Sequence, residues 1–310
     1  MPGRGPGGGA FTDHLRITEG DGLNPRTYSL RDALCAPRLV RAFGAHDVLS
    51  AVIGSRAGFE AIWASGFGVS AAMGLPDLSL LGLSDQLTAA SAMAAACQVP
   101  VLADVDGGFG GRLNVAHTVQ MYERAGIAGI CIEDKQFPKT NSFVPDRQRL
   151  LSADEFAARL EVAKRAQRHS DFVVVARTEA LICDEKVEEA LRRAHQYVDA
   201  GADAILVHSK SRRPDQITDF LKQWQKRAAV VAVPTTYYSW PVEEAWEAGV
   251  SMIIYANHGI RAAMRRIAEV ADEIVRSGSS ATVEPTIATM DEVFEATGLQ
   301  GWLALDGDDR

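Results

Sequence analysis

The sequence predicts a (β/α)8 barrel of the TIM type, and three features of its 310 residues carry that prediction. Eight short apolar runs of strand length are separated by segments of helical periodicity, which implies a parallel sheet covered by helices and favours its closure. Four helical segments finish in Ala-Gly just before a strand, at Gly58, Gly126, Gly201 and Gly249, where glycine ends a helix in the left-handed conformation and turns the chain inward. A doubly wound open sheet is the alternative, disfavoured because no Gly-x-Gly-x-x-Gly follows the first strand.

Taken in order, the start Met-Pro-Gly-Arg-Gly-Pro-Gly-Gly-Gly-Ala cannot bury enough to offset backbone ordering. Residues 1–20 are expected to be a flexible tail, and residues 21–310 one barrel domain with a C-terminal helical extension. From Ser29 a short helical pattern (Leu30, Leu34, Leu39) leads to a first strand at 40–46 and a helix at 48–57. Further strands are expected near 60–64, 99–106, 127–133, 172–177, 202–208, 229–234 and 252–257. The intervening helices are expected near 84–97, 114–125, 152–167, 184–200, 214–227, 242–248 and 260–277. Residues 287–298, with Ile287, Met290, Val293 and Phe294, read as one more helix, expected to pack on a neighbouring subunit together with the helix after Asn257.

Composition narrows the function. A net charge of -8 and a pI near 5.4 argue against a nucleic-acid or anionic-membrane surface, while a small anion bound through a metal stays compatible. Cys35, Cys97, Cys131 and Cys183 are widely spaced, with no Cys-x-x-Cys, so reduced thiols are expected rather than a zinc site or disulfides. No apolar run approaches the ~18 residues needed to span a bilayer, and no signal pattern opens the chain. The expected setting is the cytoplasm.

In a barrel of this kind chemistry collects at the C-terminal ends of the strands. Here those ends read Trp63-Ala-Ser65-Gly66-Phe67, Asp104-Val-Asp106, Glu133-Asp-Lys135, Arg177-Thr-Glu179, His208-Ser, Pro234-Thr-Thr and Asn257-His. Asp104, Asp106 and Glu133 bring three carboxylates from neighbouring strands, a ligand set suited to Mg²⁺ with water. Period-2 alternation sends Asp104 and Asp106 to one face; the plain alternative is surface acids paired with Arg177 or Lys135. Arg177 needs an anionic partner, either Glu179 or a bound carboxylate or phosphonate. Ser65 and Gly66 suit either an anion or plain turn chemistry, and His208 either a substrate oxygen or a structural partner. The segment Lys139-Thr-Asn-Ser142 holds a cation, an amide and two hydroxyls with no apolar anchor, a composition suited to a mobile loop over a site.

At these residues the chain resembles the phosphoenolpyruvate mutase / isocitrate lyase superfamily, most closely the phosphoenolpyruvate mutases. The motifs are Trp63-Ala-Ser-Gly-Phe with Asp77 fourteen residues on, Asp104-Val-Asp106, Glu133-Asp-Lys-Gln-Phe-Pro-Lys-Thr-Asn-Ser142, Val175-Ala-Arg-Thr-Glu-Ala180, Gly201-Ala-Asp-Ala-Ile-Leu-Val-His-Ser209 and Tyr255-Ala-Asn-His258. The resemblance implies a barrel whose last helix is swapped between subunits of a homodimer or homotetramer. It implies Mg²⁺ on Asp104, Asp106 and Glu133, and substrate contacts from Trp63, Ser65, Gly66 and Phe67. Catalytic roles fall on Asp77 beside the phosphorus, on Arg177 and His208 at the phosphoryl group, and on a gating loop with Lys139, Asn141 and Ser142.

The loop also bears on the reaction. Carbon-carbon lyases of the superfamily carry a loop cysteine, and no Cys lies between 134 and 182 here; hydrolases of phosphonopyruvate usually have Thr at the position of Asn141. The expectation is a mutase interconverting phosphoenolpyruvate and phosphonopyruvate, in phosphonate biosynthesis. Phosphonopyruvate hydrolysis is the alternative, followed by a lyase or decarboxylase and by a non-catalytic barrel that binds small anions. Two departures stand out: Gly107, where mutases usually carry Thr, and the segment Phe143-Val-Pro-Asp-Arg-Gln-Arg149.

Overall fold

The structure is a computed structural model that describes residues 29–305, so the expected tail at 1–20 lies outside the described residues. Strands β1 (Val40–Ala45), β2 (Ala61–Ala64), β3 (Val101–Asp104), β4 (Gly129–Glu133), β5 (Val173–Thr178), β6 (Ala204–Val207), β7 (Ala229–Ala232) and β8 (Met252–Tyr255) pair in chain order, all parallel. β8 returns to β1, with Phe43 opposite Tyr255, and closes the (β/α)8 barrel that the sequence predicts.

Between the strands lie α2 (Val48–Arg56), α3 (Gly66–Ala72), α4 (Leu83–Ala96), α5 (Arg112–Arg124), α6 (Ala153–Ala166), α7 (Val187–Asp199), α8 (Asp215–Trp224) and α9 (Val242–Ala248). Before the barrel comes α1 (Leu30–Cys35), and after it α10 (His258–Ser277), α11 (Met290–Ala296) and α12 (Leu299–Leu305). The four Ala-Gly steps behave as expected: Gly58, Gly126, Gly201 and Gly249 have φ from 74° to 106°.

Most strands are shorter than the apolar runs. β3 stops at Asp104 rather than Asp106, because Asp106 takes φ 49° and leaves the extended conformation. α3 was not foreseen: seven residues with two glycines give no periodic signal, and the helix starts on Ser65, whose Oγ accepts the Gly68 N–H at 3.0 Å. α12, seven residues around Gly301, likewise gives no periodic signal.

The barrel has two cores. Tyr122, Phe156, Tyr197, Phe220 and Trp224 are buried between strands and helices. Inside the barrel pack Trp63, Leu102, Val175, Leu206, Met252 and Ile254, joined by Leu30 and Leu34 of α1. These leucines plug the N-terminal mouth, each burial stabilising by about 2 kcal/mol. Arg31 fastens the plug by donating to Ser170 O at 2.8 Å, Phe172 O at 3.1 Å and Asp203 Oδ1 at 2.9 Å.

The long α10 differs from the other helices. It has no buried residue, and Met264, Ile267 and Val275 are 75%, 67% and 85% exposed, so a single chain leaves this apolar stripe uncovered. Among the described residues no helix is long and apolar enough to cross a membrane.

Closure of β1 on β8 leaves no room for a side chain at Gly44, where a Cβ would lie 2.1 Å from Ala256 O and 2.7 Å from Tyr255 O. Gly44→Ala must therefore push the end of β8 outward. The expected cost is about 1–3 kcal/mol, read by urea denaturation; unchanged stability would refute this close approach.

Candidate active site

The polar strand ends converge on the C-terminal mouth, where a cavity of about 350 Å³ is lined by Trp63, Ser65, Phe67, Asp77, Asp104, Lys139, Asn141, Ser142, Arg177 and His208. Thr235 and Thr236 after β7, Asn257 after β8 and Arg261 in the first turn of α10 complete the wall. Gly66, Asp106 and Glu133 stand behind it. The backbone at Gly66 runs close to Asp104: a Cβ there would lie 3.2 Å from Asp104 Oδ2, so the carboxylate would have to give by a few tenths of an ångström. A larger groove of about 800 Å³ runs beside α1 at the opposite end, where Arg31 and Asp203 already pair with each other.

Asp104 ends β3 opposite Cys131, and Glu133 ends β4 opposite Arg177, so their carboxylates rise from adjacent strands. Asp106 does not arrive by strand alternation. Its left-handed backbone curls the chain so that its N–H donates to Asp104 Oδ1 at 3.3 Å and its carbonyl accepts the Glu133 N–H at 2.8 Å. None of the three is a surface acid: they are 9%, 4% and 1% exposed. Burial raises the Asp104 carboxyl above its usual range, and burial pushes Glu133 up to about 7 in spite of Lys135, Arg177 and Lys139.

Both Glu133 carboxylate oxygens are buried without a hydrogen-bond partner, with Arg177 Nε at 3.5 Å from Oε2. Buried polar atoms are rarely left so, and a hard cation with water is what such carboxylates accept. The donor set therefore fits Mg²⁺. Among the described residues no three His, Cys, Asp or Glu side chains converge closely enough to hold a metal on their own, so water or ligand oxygens would complete the coordination.

The segment 139–142 lies folded onto the barrel, anchored by charge instead of apolar contact. Lys139 Nζ bridges Asp77 Oδ1 at 2.8 Å and Asp106 Oδ1 at 2.9 Å, and Asn141 Nδ2 donates to Asp77 Oδ2 at 2.7 Å. Lys135 Nζ holds the segment from below through Thr140 O at 3.0 Å and Ser142 Oγ at 2.7 Å. Burial opposes both charges of the bridge, yet Lys139 and Asn141 keep the Asp77 carboxyl below its usual range, and the carboxylates hold Lys139 firmly protonated.

Arg177 finds its anion within the protein. Glu179 Oε1 accepts from Arg177 Nε and lies 2.8 Å from His208 Nδ1; Glu179 Oε2 accepts from Ser142 Oγ at 2.7 Å and pairs with Lys135 Nζ at 3.1 Å. Burial opposes the charge on Glu179, but Arg177, His208 and Lys135 together hold its carboxyl well below the usual range. Arg177 Nη2 is committed to Ser142 Oγ at 3.1 Å and to the His208 ring, which leaves Nη1 for a ligand. Burial also keeps His208 neutral against the pull of Glu179.

Several supporting residues escaped the sequence reading. Ser79 Oγ donates to Asp106 Oδ2 at 2.8 Å and accepts the Lys139 N–H at 3.2 Å. Arg159 of α6 donates to Gly107 O at 3.0 Å and Gly110 O at 2.9 Å, clamping the glycine turn behind Asp106. Asp134 faces outward and accepts from Glu179 N at 2.9 Å, Tyr197 OH at 2.7 Å and Arg193 Nη1 at 3.2 Å. Arg159 and Arg193 look like ordinary helix-surface cations in sequence; no spacing signals their targets. At Gly107 a Cβ would meet nothing nearer than 3.4 Å, so this departure removes a side chain without relieving a clash. Phe143, in the other departing segment, packs edge-on against His208 with ring centroids 5.9 Å apart.

Comparison with known proteins agrees with this geometry. Residues 30–275 match the phosphoenolpyruvate phosphomutase family. The phosphoenolpyruvate phosphomutase of Tetrahymena pyriformis is 40% identical over 274 residues, 88% of this chain and 91% of that protein. The crystal structure of the phosphoenolpyruvate phosphomutase from Streptomyces platensis subsp. rosaceus superposes with a TM-score of 0.89 at 46% identity, covering 90% of this chain and 98% of that one. A phosphonopyruvate hydrolase complex with oxalate and Mg++ superposes with a TM-score of 0.85 at 40% identity, covering 90% of this chain and 97% of the other. Mutase and hydrolase relatives share the barrel over nearly its whole length, and by fold, strand-end residues and these matches alike the chain belongs to the phosphoenolpyruvate phosphomutase family.

Proposed function

We propose that the protein interconverts phosphoenolpyruvate and phosphonopyruvate by moving a phosphoryl group between the enol oxygen and C3 of one molecule. The observation that carries this reading is the closed loop: Asn141 and Lys139 are both bonded to Asp77, which puts an amide donor, a cation and an ionised carboxylate over one end of the cavity. A phosphoryl group in transit needs its oxygens held and water kept out. Arg177 Nη1, His208 and Asn141 supply the donors, Asp77 stands beside the phosphorus, and Ser65 and Gly66 receive the carboxylate end.

Asp104, Asp106 and Glu133 would hold Mg²⁺, which the hydrolase relative was solved with. Bound there, it supplies positive charge to the carboxylate and enolate oxygens. A lyase reading is disfavoured because the loop carries no thiol, and burial pushes the nearby Cys131 thiol well above its usual range. We also propose that the exposed apolar stripe of α10, with α11 and α12, is covered by a second copy in a dimer or tetramer. A cytoplasmic setting suits the four free cysteines.

Hydrolysis of phosphonopyruvate is the second reading, favoured by the 40% identity to a hydrolase. ³¹P NMR of protein, Mg²⁺ and phosphonopyruvate separates the two: a phosphoenolpyruvate signal supports the mutase, inorganic phosphate alone the hydrolase. Asp77→Ala is expected to lower turnover to below about a hundredth with the fold intact, and higher residual activity would remove Asp77 from the mechanism. Asn141→Thr replaces the amide donor to Asp77 with a shorter hydroxyl, so phosphate release should rise at the expense of phosphoenolpyruvate.

Glu133 gives a pH test of the metal site. Below its ordinary value of 4.5 both folded and unfolded chains keep the proton; between there and about 7 only the folded chain does, so metal-free stability falls as pH rises through this window. Heating curves in EDTA from about pH 5 to about pH 8 should show that fall in wild type and a smaller one in Glu133→Gln. Added Mg²⁺ should restore the wild type and not the variant. Equal pH profiles for the two proteins would count against the assignment.

A further inference from the structure

Ser79 lies two residues past Asp77 in the connection between α3 and α4, and its φ of 54° is one that side-chain-bearing residues seldom adopt. Such a conformation persists where surrounding contacts hold it, and here the hydroxyl makes two. It donates to Asp106 Oδ2 and accepts the backbone N–H of Lys139. Three parts of the site therefore meet at one oxygen: the Asp77 connection, the acid behind the cavity wall, and the first residue of the loop that covers it.

The other ties between the loop and the Asp77 connection run through side-chain atoms, Lys139 Nζ and Asn141 Nδ2. These can follow a ligand or swing away. The Ser79 bond holds loop backbone, and the same hydroxyl donates to Asp106. We propose that Ser79 is a positioning residue that couples closure of the 139–142 loop to the placement of Asp106, and thereby decides whether the migrating phosphoryl group meets water.

The inference rests on the mutase reading for its chemical consequence. When the P–C bond of phosphonopyruvate breaks, its electron pair stays on C3 as the enolate. In a closed site the enolate oxygen then bonds to phosphorus and gives phosphoenolpyruvate. With the loop lifted, a water oxygen bonds to phosphorus instead, a proton from that water reaches C3, and the products are pyruvate and inorganic phosphate.

The test compares Ser79→Gly, which relaxes the backbone and removes the hydroxyl, with Ser79→Ala, which removes the hydroxyl alone. Two readouts are taken: the phosphate share of product by ³¹P NMR, and the rate of tryptic cleavage after the exposed Arg147 and Arg149 in unliganded protein. Both variants are expected to raise the phosphate share and to speed cleavage by about fivefold or more, as a loosened segment opens more often. Wild-type behaviour in both variants, or a change in only one of them, would overturn the proposal, the latter because backbone strain and not the hydroxyl would be the cause. If wild type forms no phosphoenolpyruvate, the mutase reading fails, while the tryptic rates still decide whether Ser79 holds the loop.

Discussion

A carboxylate without exposed surface, Glu179, organises the rim of this barrel. Leaving one negative charge in such a place would be prohibitive, and the chain answers with Arg177, Lys135 and the His208 ring gathered from three separate strand ends or loops. Each of those groups has a second task. Arg177 reaches toward Glu133, Lys135 carries the loop through Thr140 and Ser142, and His208 backs Phe143. The donors at the rim therefore inherit their orientation from the need to satisfy one buried acid, and they are fixed before any ligand arrives. Asp134 extends the arrangement outward, since it holds the Glu179 backbone N–H while Tyr197 and Arg193 hold it.

On the other side of the cavity the balance is different. Asp77, Asp104, Asp106 and Glu133 outnumber the one ammonium, Lys139, that sits among them, and Glu133 lacks any donor. One half of the site is thus electrically complete and the other half is short of positive charge. A substrate with a carboxylate and a phosphoryl group would deepen that deficit unless a cation came with it, so a divalent metal would be favoured at this rim rather than at the Arg177 side.

The barrel was legible because its causes are local. Apolar runs, helical periods and the Ala-Gly steps each act within a few residues, and eight repeats leave little choice of architecture. Every residue named for the site lies on the cavity wall or directly behind it, since strand ends are bound to meet once the sheet closes. What the sequence hid were contacts made across long separations. Asp106 reaches its place through a left-handed turn and not by alternation, Ser79 touches Lys139 sixty residues away, and the loop expected to lack an apolar anchor is pinned by buried ion pairs. α3 and α12 were missed for a simpler reason, because each is a short segment interrupted by glycine, at Gly66 and Gly68 in the one and Gly301 in the other.

The plug formed by Leu30 and Leu34, fastened by Arg31, makes the interior a blind-ended well. Among the described residues the packed interior and this plug close the far end, so whatever enters at the rim leaves by the same doorway. Reactant and product then compete for one passage, and the next molecule waits until the last has cleared the loop. In such a vessel traffic at the mouth would bear on turnover as much as events at the floor.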